Sequence, residues 1–555
     1  MKEIIIISPE KCSGCNACIR NCPSPEANIC KRLDNGRYIT MVNNDKCIAC
    51  GQCIESCRYG ARDFLDDTEE CISAMTKEKI DIIVSPAIKM NIPHRWRGIL
   101  DWFREQGCNI FDGSLGADIC TWTYLRTIDQ GTVGNTIASQ CPAVVRYIEL
   151  YQPKLVQSLS PIQSPVGCMA VYMKQYLRRS NRIAVLSPCI AMSYENQETE
   201  LISFNITIEK LLNHFERNGI SIPVDNTDDF EYSFDEIQGQ LGSIYSRPGG
   251  LRDSLLSNNP DLSIISGNGG SRLYSQIDSY AKIPERKRPM VFDILSCEWG
   301  CNMGNAVGQE QILFEVITTM RIVESKAKEH RKFSGMRGHG EDKLLKKFDD
   351  ELHVVDFLRG FKPSMPTLTP TAIQLKPIFD DMGINPDRCY DCHACGYKSC
   401  HEMASAVYHK LNVVDNCIIH AKSVINENYD LFTKQHLNTT EKIAKCLDLS
   451  EQLQNNVSQV NDGMGIISDA ATATSERIEV VRELLKNIVS FCSNNKTMDE
   501  SCVTQLISIL ETVIVSFNVL NENVNVTTDR SEVINRNITD ILAIVEEIKA
   551  DLNLM

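Results

Sequence analysis

The sequence predicts a multidomain protein of mixed α+β and α/β class, with two small cysteine-rich domains flanking an α/β domain and a helical hairpin of coiled-coil type at the end. Three observations carry this. The run C-x2-C-x2-C-x3-C occurs twice before residue 60. From about residue 78 to 325, short apolar runs alternate with helical patterns. Beyond 426, glycine and proline nearly vanish and apolar residues fall at 4-3 spacing. A chain of 555 residues also exceeds the roughly 250–300 at which one core stops growing. The expected divisions are 1–65, 75–325, a linker over 326–365, 366–425 and a helical domain over 426–555.

A net charge of −15 argues against a nucleic-acid partner. The opening run MKEIIIIS is too short for a signal-peptide core and reads as a first strand. The most apolar later stretch, VTQLISILETVIVSFNVL, carries Thr, Gln, Ser, Glu and Asn, so no membrane span is expected and the protein is expected in the cytoplasm. The 25 cysteines cluster at ligand spacings in a chain with no visible export signal, which favours metal over disulfides. Thiolates at three-residue spacing with few histidines nearby favour iron–sulfur clusters over zinc.

In the first domain, residues 12–22 read CSGCNACIRNC and residues 47–57 read CIACGQCIESC. This duplication resembles the two-cluster bacterial ferredoxins, in which the fourth cysteine of each run ligates the other cluster. The resemblance implies Cys12, Cys15, Cys18 and Cys57 on one 4Fe-4S cluster and Cys22, Cys47, Cys50 and Cys53 on the second. A pair of zinc knuckles is the competing reading. Pro23 follows the first run, whereas Arg58 stands where a proline often closes the second.

In the α/β domain the runs IDIIVSPA, RIAVLSPC, LSIISGNGG and MVFDILSC read as strands. Three cysteine loops follow such segments: ASQCP at 138–142, LSPCIAM at 186–192 and SCEWGCNMG at 296–304. Loops beyond strand ends are where α/β folds place their sites. Cys141, Cys189, Cys297 and Cys301 could therefore hold one cluster. The loops resemble the three signatures of the iron–iron hydrogenases, usually T-S-C-C-P, M-P-C-x2-K and M-A-C-x3-C. The order of the modules and the LSPIQSP stretch at 159–165 extend the likeness over about the first 320 residues. The resemblance implies that these four cysteines hold the cubane of an H-cluster, with Cys301 bridging to a two-iron subsite.

The departures from the family pattern favour a sensor. Gln140 replaces the cysteine that serves the family as proton donor, and Tyr124 and Thr127 stand where its proton path carries carboxylates. None of the three relays protons near neutral pH. Met192 stands at the lysine of the second signature and Leu295 at the methionine of the third, whereas Ser139, Pro142, Pro188, Glu195 and the RPGGL loop at 247–251 are kept. A retained ligand set with an altered proton path resembles the sensory branch of the family. Losing the lysine should lower the cluster potential or leave a cluster ligand unpaired. A plain cubane without the two-iron subsite is the bland alternative. Cys108, Cys120 and Cys168 read as buried small hydrophobes.

The charged stretch at 324–350 reads as a boundary, and a proline-rich piece leads to CYDCHACGYKSC at 389–400 and DNC at 415–417. Cys392, Cys395, Cys400 and Cys417 form C-x2-C-x4-C-x16-C, which resembles the single-cubane domain of corrinoid iron–sulfur proteins. The alternative set replaces Cys417 with Cys389, and zinc with nearby histidines is a further one. The segment HEMASAVYHKL is expected as a helix.

In the tail, a seam runs from Leu453 to Cys492 and a second from Leu506 to Leu552, each roughly 60–70 Å at 1.5 Å per residue. The polar break at 493–501 is a natural turn, so an antiparallel hairpin that dimerises into a four-helix bundle is expected. It resembles the signalling hairpin of chemoreceptors in architecture only, because that family's tip sequence is absent. The expected function is hydrogen or redox sensing with low turnover. Its expected partners are hydrogen, a soluble electron carrier, a second copy of the chain and a separate kinase or phosphatase. The cofactors the resemblance implies are three 4Fe-4S clusters and an H-cluster. A slow hydrogenase and a multi-cluster electron carrier without the two-iron subsite are the alternatives.

Overall fold

The computed structural model describes residues 3–225, 230–267, 269–270, 272–308, 311–333, 343–365, 367–474 and parts of 536–547. It forms two compact units, 1–422 and 423–555.

The first unit opens with β1 (Ile5–Ile7), β2 (Asn28–Arg32), β3 (Tyr38–Val42) and β4 (Arg62–Phe64), paired antiparallel as β1–β4 and β2–β3. The two cysteine runs lie in the loops between these ribbons, so the duplicated sequence becomes a duplicated loop.

The α/β region is built on β5 (Ile80–Val84), β6 (Asn109–Asp112), β7 (Thr136–Ile137), β8 (Arg182–Ser187), β9 (Phe204–Thr207), β10 (Ile264–Ser266) and β11 (Val291–Asp293). A four-stranded parallel sheet has the order β6-β5-β8-β9, and a three-stranded parallel sheet the order β10-β11-β7. All five residues of β5 are buried, as expected for a parallel strand covered on both faces. Asp81 within it is the polar exception. Burial alone would raise its pKa, but bonds from Arg179, Asn109 and Asn181 at 2.7–2.9 Å hold it below the usual carboxylate range.

The helix Gly113–Asp129 runs through the core, capped by Asp112, which accepts from Ser114 N at 2.9 Å. It packs against the helix Pro165–Val171 so closely that a Cβ on Gly116 would lie 2.2 Å from Pro165 O. Cys108, Cys120 and Cys168 are buried among apolar side chains.

Two boundaries differ from expectation. The helix Thr68–Met75 joins the α/β core, since Asp66 and Asp67 bond to the backbone of Thr207 and Asn205. Residues 343–365, expected within a linker, strap the α/β core. Phe348 and Phe357 are buried against Trp122, and Leu358 bridges Ile162 in antiparallel register. Trp122 donates to Asp349 at 2.7 Å and Tyr176 to Asp356 at 2.6 Å. A stretch rich in Lys and Asp reads as solvated, yet its few aromatics are what the core takes up.

In the third module the helix Ala372–Met382 packs on the helix Cys400–Tyr408, which covers most of the expected HEMASAVYHKL segment. The tail begins with one helix, Ile418–Thr474. In the second unit Lys442 and Glu547 lie 3.5 Å apart. Most of the expected second helix and the turn at 493–501 fall outside the described residues. No helix among the described residues is long and apolar enough to cross a membrane.

Candidate metal centre

Strands β7, β8 and β11 deliver three cysteine loops to one place. Cys141 precedes the helix Pro142–Tyr151, Cys189 follows β8, and Cys297 and Cys301 follow β11. Burial, then Cys141, Cys297 and Cys301, push the Cys189 thiol well above its usual range, so the four sulfurs lie near enough to act on one another. Burial and then Cys141 push Cys297 up to about 12, and burial with Cys297 and Cys141 raises Cys301. Thiols that are buried and repel one another become thiolates only against strong local positive charge, which iron supplies. Backbone N–H groups already aim at them: Ser296 to Cys141 at 3.4 Å, Met192 to Cys189 and Asn305 to Cys297. Such bonds to sulfur are the protein's means of setting cubane potentials. The donor set fits a cubane.

The neighbouring polar groups are arranged differently. Gln140 donates to Asp293 at 2.6 Å, and the same carboxylate accepts from Arg252 N at 3.1 Å. Burial pushes Asp293 up to about 6, against the opposing pull of Arg252 and with Asp253 adding to the rise. The Tyr124 hydroxyl is buried beside Ser139 and Ser160 without a hydrogen bond of normal geometry, and burial raises its pKa. Thr127 bonds back to its own helix at Thr123 O, 2.7 Å. Met192 and Leu295 are buried. Glu195 accepts from Ser164 and pairs with Arg359 at 3.3 Å, and Arg359 also donates to Ser139 O at 3.3 Å. Ser160 Oγ, Gln163 Oε1, Glu195 Oε2, the Asn196 amide and Arg359 Nε are buried without partners. This collection of unsatisfied polar atoms around Ser139 and Glu195 calls for a polar occupant or water.

In the ferredoxin module, Cys50 is raised by burial and then by Cys22, Cys53 and Cys47, so the members of this expected set lie near one another. Cys18 is raised by burial and by Cys12, while Cys57 accepts from Ala61 N at 3.3 Å and Cys15 is exposed. Arg62, which no motif marks, is a buried cation that donates to Cys18 Sγ at 3.2 Å and also opposes the effect of burial on Cys53. Asn305 is likewise outside every motif. It accepts from Ile190 N at 2.9 Å and donates to Ala49 O at 3.1 Å, so one amide joins the Cys189 loop to the loop of Cys47 and Cys50. A Cβ on Gly51, whose φ is +77°, would meet Asn305 Cβ at 2.7 Å. Lone Asn and Arg residues carry no spacing signal that could have singled them out.

In the third module, Cys392, Cys395, Cys400 and Cys417 line one pocket with Tyr397 and Met403. Cys389 is also near: its Sγ, an Asp391 oxygen and Cys400 Sγ lie within 4.8 Å of one another. Asp391 accepts from Cys400 N at 2.7 Å, which already occupies one of its oxygens. His401 is exposed and His409 half-buried, and each bonds to a backbone carbonyl.

Comparison with known families follows this division. Residues 4–72 match the family model of a 4Fe-4S dicluster domain, and residues 390–419 that of a putative Fe-S cluster. Residues 78–271 match the C-terminal domain of the iron-only hydrogenase large subunit, a span that holds Cys141 and Cys189 and ends before Cys297 and Cys301. Solved structures that overlap this chain include an apo FeFe-hydrogenase from Chlamydomonas reinhardtii, with TM-score 0.41 and 13% identity over 55% of this chain and 100% of that one. A variant of the same enzyme overlaps with TM-score 0.41 and 14% identity over the same shares. The chain is thus an iron–sulfur protein of modular build. Its central domain is iron-only-hydrogenase-like, and it is joined to a dicluster ferredoxin domain and a third Fe-S segment.

Proposed function

We propose that the protein senses hydrogen or redox state, turns over hydrogen slowly, and passes the signal through its tail to a separate kinase or phosphatase. The observation that carries this reading is the contrast at Gln140. Cys141 beside it retains its sulfur contacts, while the Gln140 side chain is tied to a buried carboxylate and carries no titratable proton. Cys141, Cys189, Cys297 and Cys301 would hold the cubane of an H-cluster, with Cys301 next to the two-iron subsite. When bound, that group supplies reversible splitting of hydrogen into protons and electrons. The chain's part is to hold the sulfurs, exclude water and govern proton access. On this last count Tyr124, Thr127 and Gln140 provide no group that ionises near neutrality.

The tail supports an output through association. Ile425, Tyr429, Phe432 and Ile443 follow 4-3 spacing in phase with Leu453, and all four are more than 45% exposed in the single chain. A second copy would cover them in a coiled coil. The Lys442–Glu547 pair favours an antiparallel hairpin, because the midpoint between these positions falls within the polar break at 493–501.

The test is the infrared spectrum of protein matured anaerobically with the two-iron group, under argon and then hydrogen. Carbonyl and cyanide bands that shift with hydrogen at low turnover support the sensor. Shifting bands with rapid turnover return the protein to the enzymes, and an absence of bands leaves a multi-cluster electron carrier.

A further inference from the structure

We propose that the third cluster is wired to the first ferredoxin cluster through a paired-asparagine bridge, so that electrons from the α/β site reach the third cluster, at the base of the tail helix, only after crossing both ferredoxin clusters. This rests on the assignment of cubanes to the four cysteine sets and not on hydrogen chemistry.

The third module docks on the ferredoxin loop that carries Cys12, Cys15 and Cys18. Asn16, next to Cys15, and Asn416, next to Cys417, exchange hydrogen bonds through their amides at 2.8 and 3.1 Å. Asn16 is buried and holds a left-handed backbone, φ 60°, which turns its side chain out of its own loop. Asn416 also reaches Cys30 Sγ at 3.8 Å, and Cys30 is a buried non-ligand thiol pushed up to about 11 by burial and then by Cys12 and Cys18. Around this pair, Cys30 N donates to Leu411 O at 2.8 Å, Tyr38 to Asp415 at 2.7 Å and Arg20 to His393 O at 3.3 Å. Cys18 and Ile19 pack in the same apolar cluster as Cys395, Cys400 and Cys417, and Gly396 lies so close that an added Cβ would meet Ile19 Cβ at 2.7 Å.

The opposite end of the ferredoxin module meets the α/β domain through Asn305, which joins Ala49 to Ile190. Arg62 lies between the two ferredoxin clusters, touching Cys18 and acting on Cys53. The order is therefore the α/β cubane, the Cys22/Cys47/Cys50/Cys53 cluster, the Cys12/Cys15/Cys18/Cys57 cluster and the third cluster, with asparagine amides at both outer junctions. Cys417 then leads directly into the tail, since Ala421 N bonds to Cys417 O at 2.9 Å in the first turn of the helix Ile418–Thr474. Each step moves one electron from a reduced cubane to an oxidised neighbour. The electrons come from hydrogen, which releases two with two protons, or from a low-potential one-electron carrier.

The test uses the full chain with its cubanes reconstituted, reduced photochemically by a deazaflavin without hydrogen and followed by electron paramagnetic resonance. Cys15→Ser, on an exposed loop, marks the first ferredoxin cluster. The expected result is a spin–spin splitting in the third cluster's signal that Cys15→Ser alters and Cys297→Ala leaves in place. Asn16→Ala/Asn416→Ala should weaken the splitting at unchanged iron content. A third-cluster signal that is unsplit, or split by an interaction lost in Cys297→Ala, overturns the proposal. Because no hydrogen is used, a failure here is separate from a failure of the sensor reading.

Discussion

The sulfur side and the outer side of the α/β site follow opposite rules. On the sulfur side Cys141, Cys189 and Cys297 accept from backbone N–H groups, and Asn305 ties the Cys189 loop to the neighbouring ferredoxin loop. On the outer side, Tyr124, Ser160, Gln163, Glu195 and Arg359 all retain buried polar atoms without partners, and Gln140, Tyr124 and Thr127 carry no group that ionises near neutrality. A region that must hold a metal cluster is over-determined, because each ligand is fixed by local backbone. A region that must deliver protons needs only titratable groups in line, and single substitutions remove it.

The largest expected effect breaks this contrast. Gln140→Cys returns a titratable thiol next to Cys141, and hydrogen-dependent viologen reduction should rise toward the roughly 10²–10⁴-fold that a positioned acid–base group contributes. An unchanged rate would mean that Tyr124 and Thr127 still interrupt the path or that the sulfur side limits turnover. Next, Arg359→Met leaves Glu195 buried without its cation and should cost about 3–5 kcal/mol in denaturant unfolding of the first unit.

Asp293→Asn sharpens the comparison through pH. The folded-state pKa of about 6 lies above the ordinary 3.8, so the folded protein keeps a proton that the unfolded chain has lost. Stability from this group is thus full below pH 4 and falls as pH rises to about 6, by roughly 3 kcal/mol at most. The variant should flatten that slope in unfolding midpoints measured from pH 4 to 7. The smallest effect is on the sulfur side: Gly51→Ala, strained at φ +77° and pressed on Asn305, should cost about 1–3 kcal/mol and speed iron loss to a chelator.

Much of this was legible in the sequence where spacing is local. The cysteine runs, the three cysteine loops and strands β5, β8, β10 and β11 stand where their patterns place them, because a ligand loop or a buried apolar strand is written in consecutive residues. Strands β6 (NIFD) and β9 (FNIT) are four residues long and half polar, and carry no such pattern. The residues that join modules were illegible for another reason. Asn305 meets Ala49 across 256 positions, Arg359 meets Ser139 across 220, and Asn16 meets Asn416 across 400. No periodicity connects residues so far apart, and in the strap over 343–365 the charged residues outnumber and so mask the few aromatics that the core takes up.

The most direct test of the central claim is to equilibrate the matured protein with graded hydrogen pressures, reading the bleaching of cubane absorbance and, on the same sample, the steady rate of viologen reduction. The account predicts bleaching that follows hydrogen pressure at equilibrium while the rate stays orders of magnitude below that of Gln140→Cys. Rapid viologen reduction by the unaltered protein, or cubanes that ignore hydrogen, would contradict it.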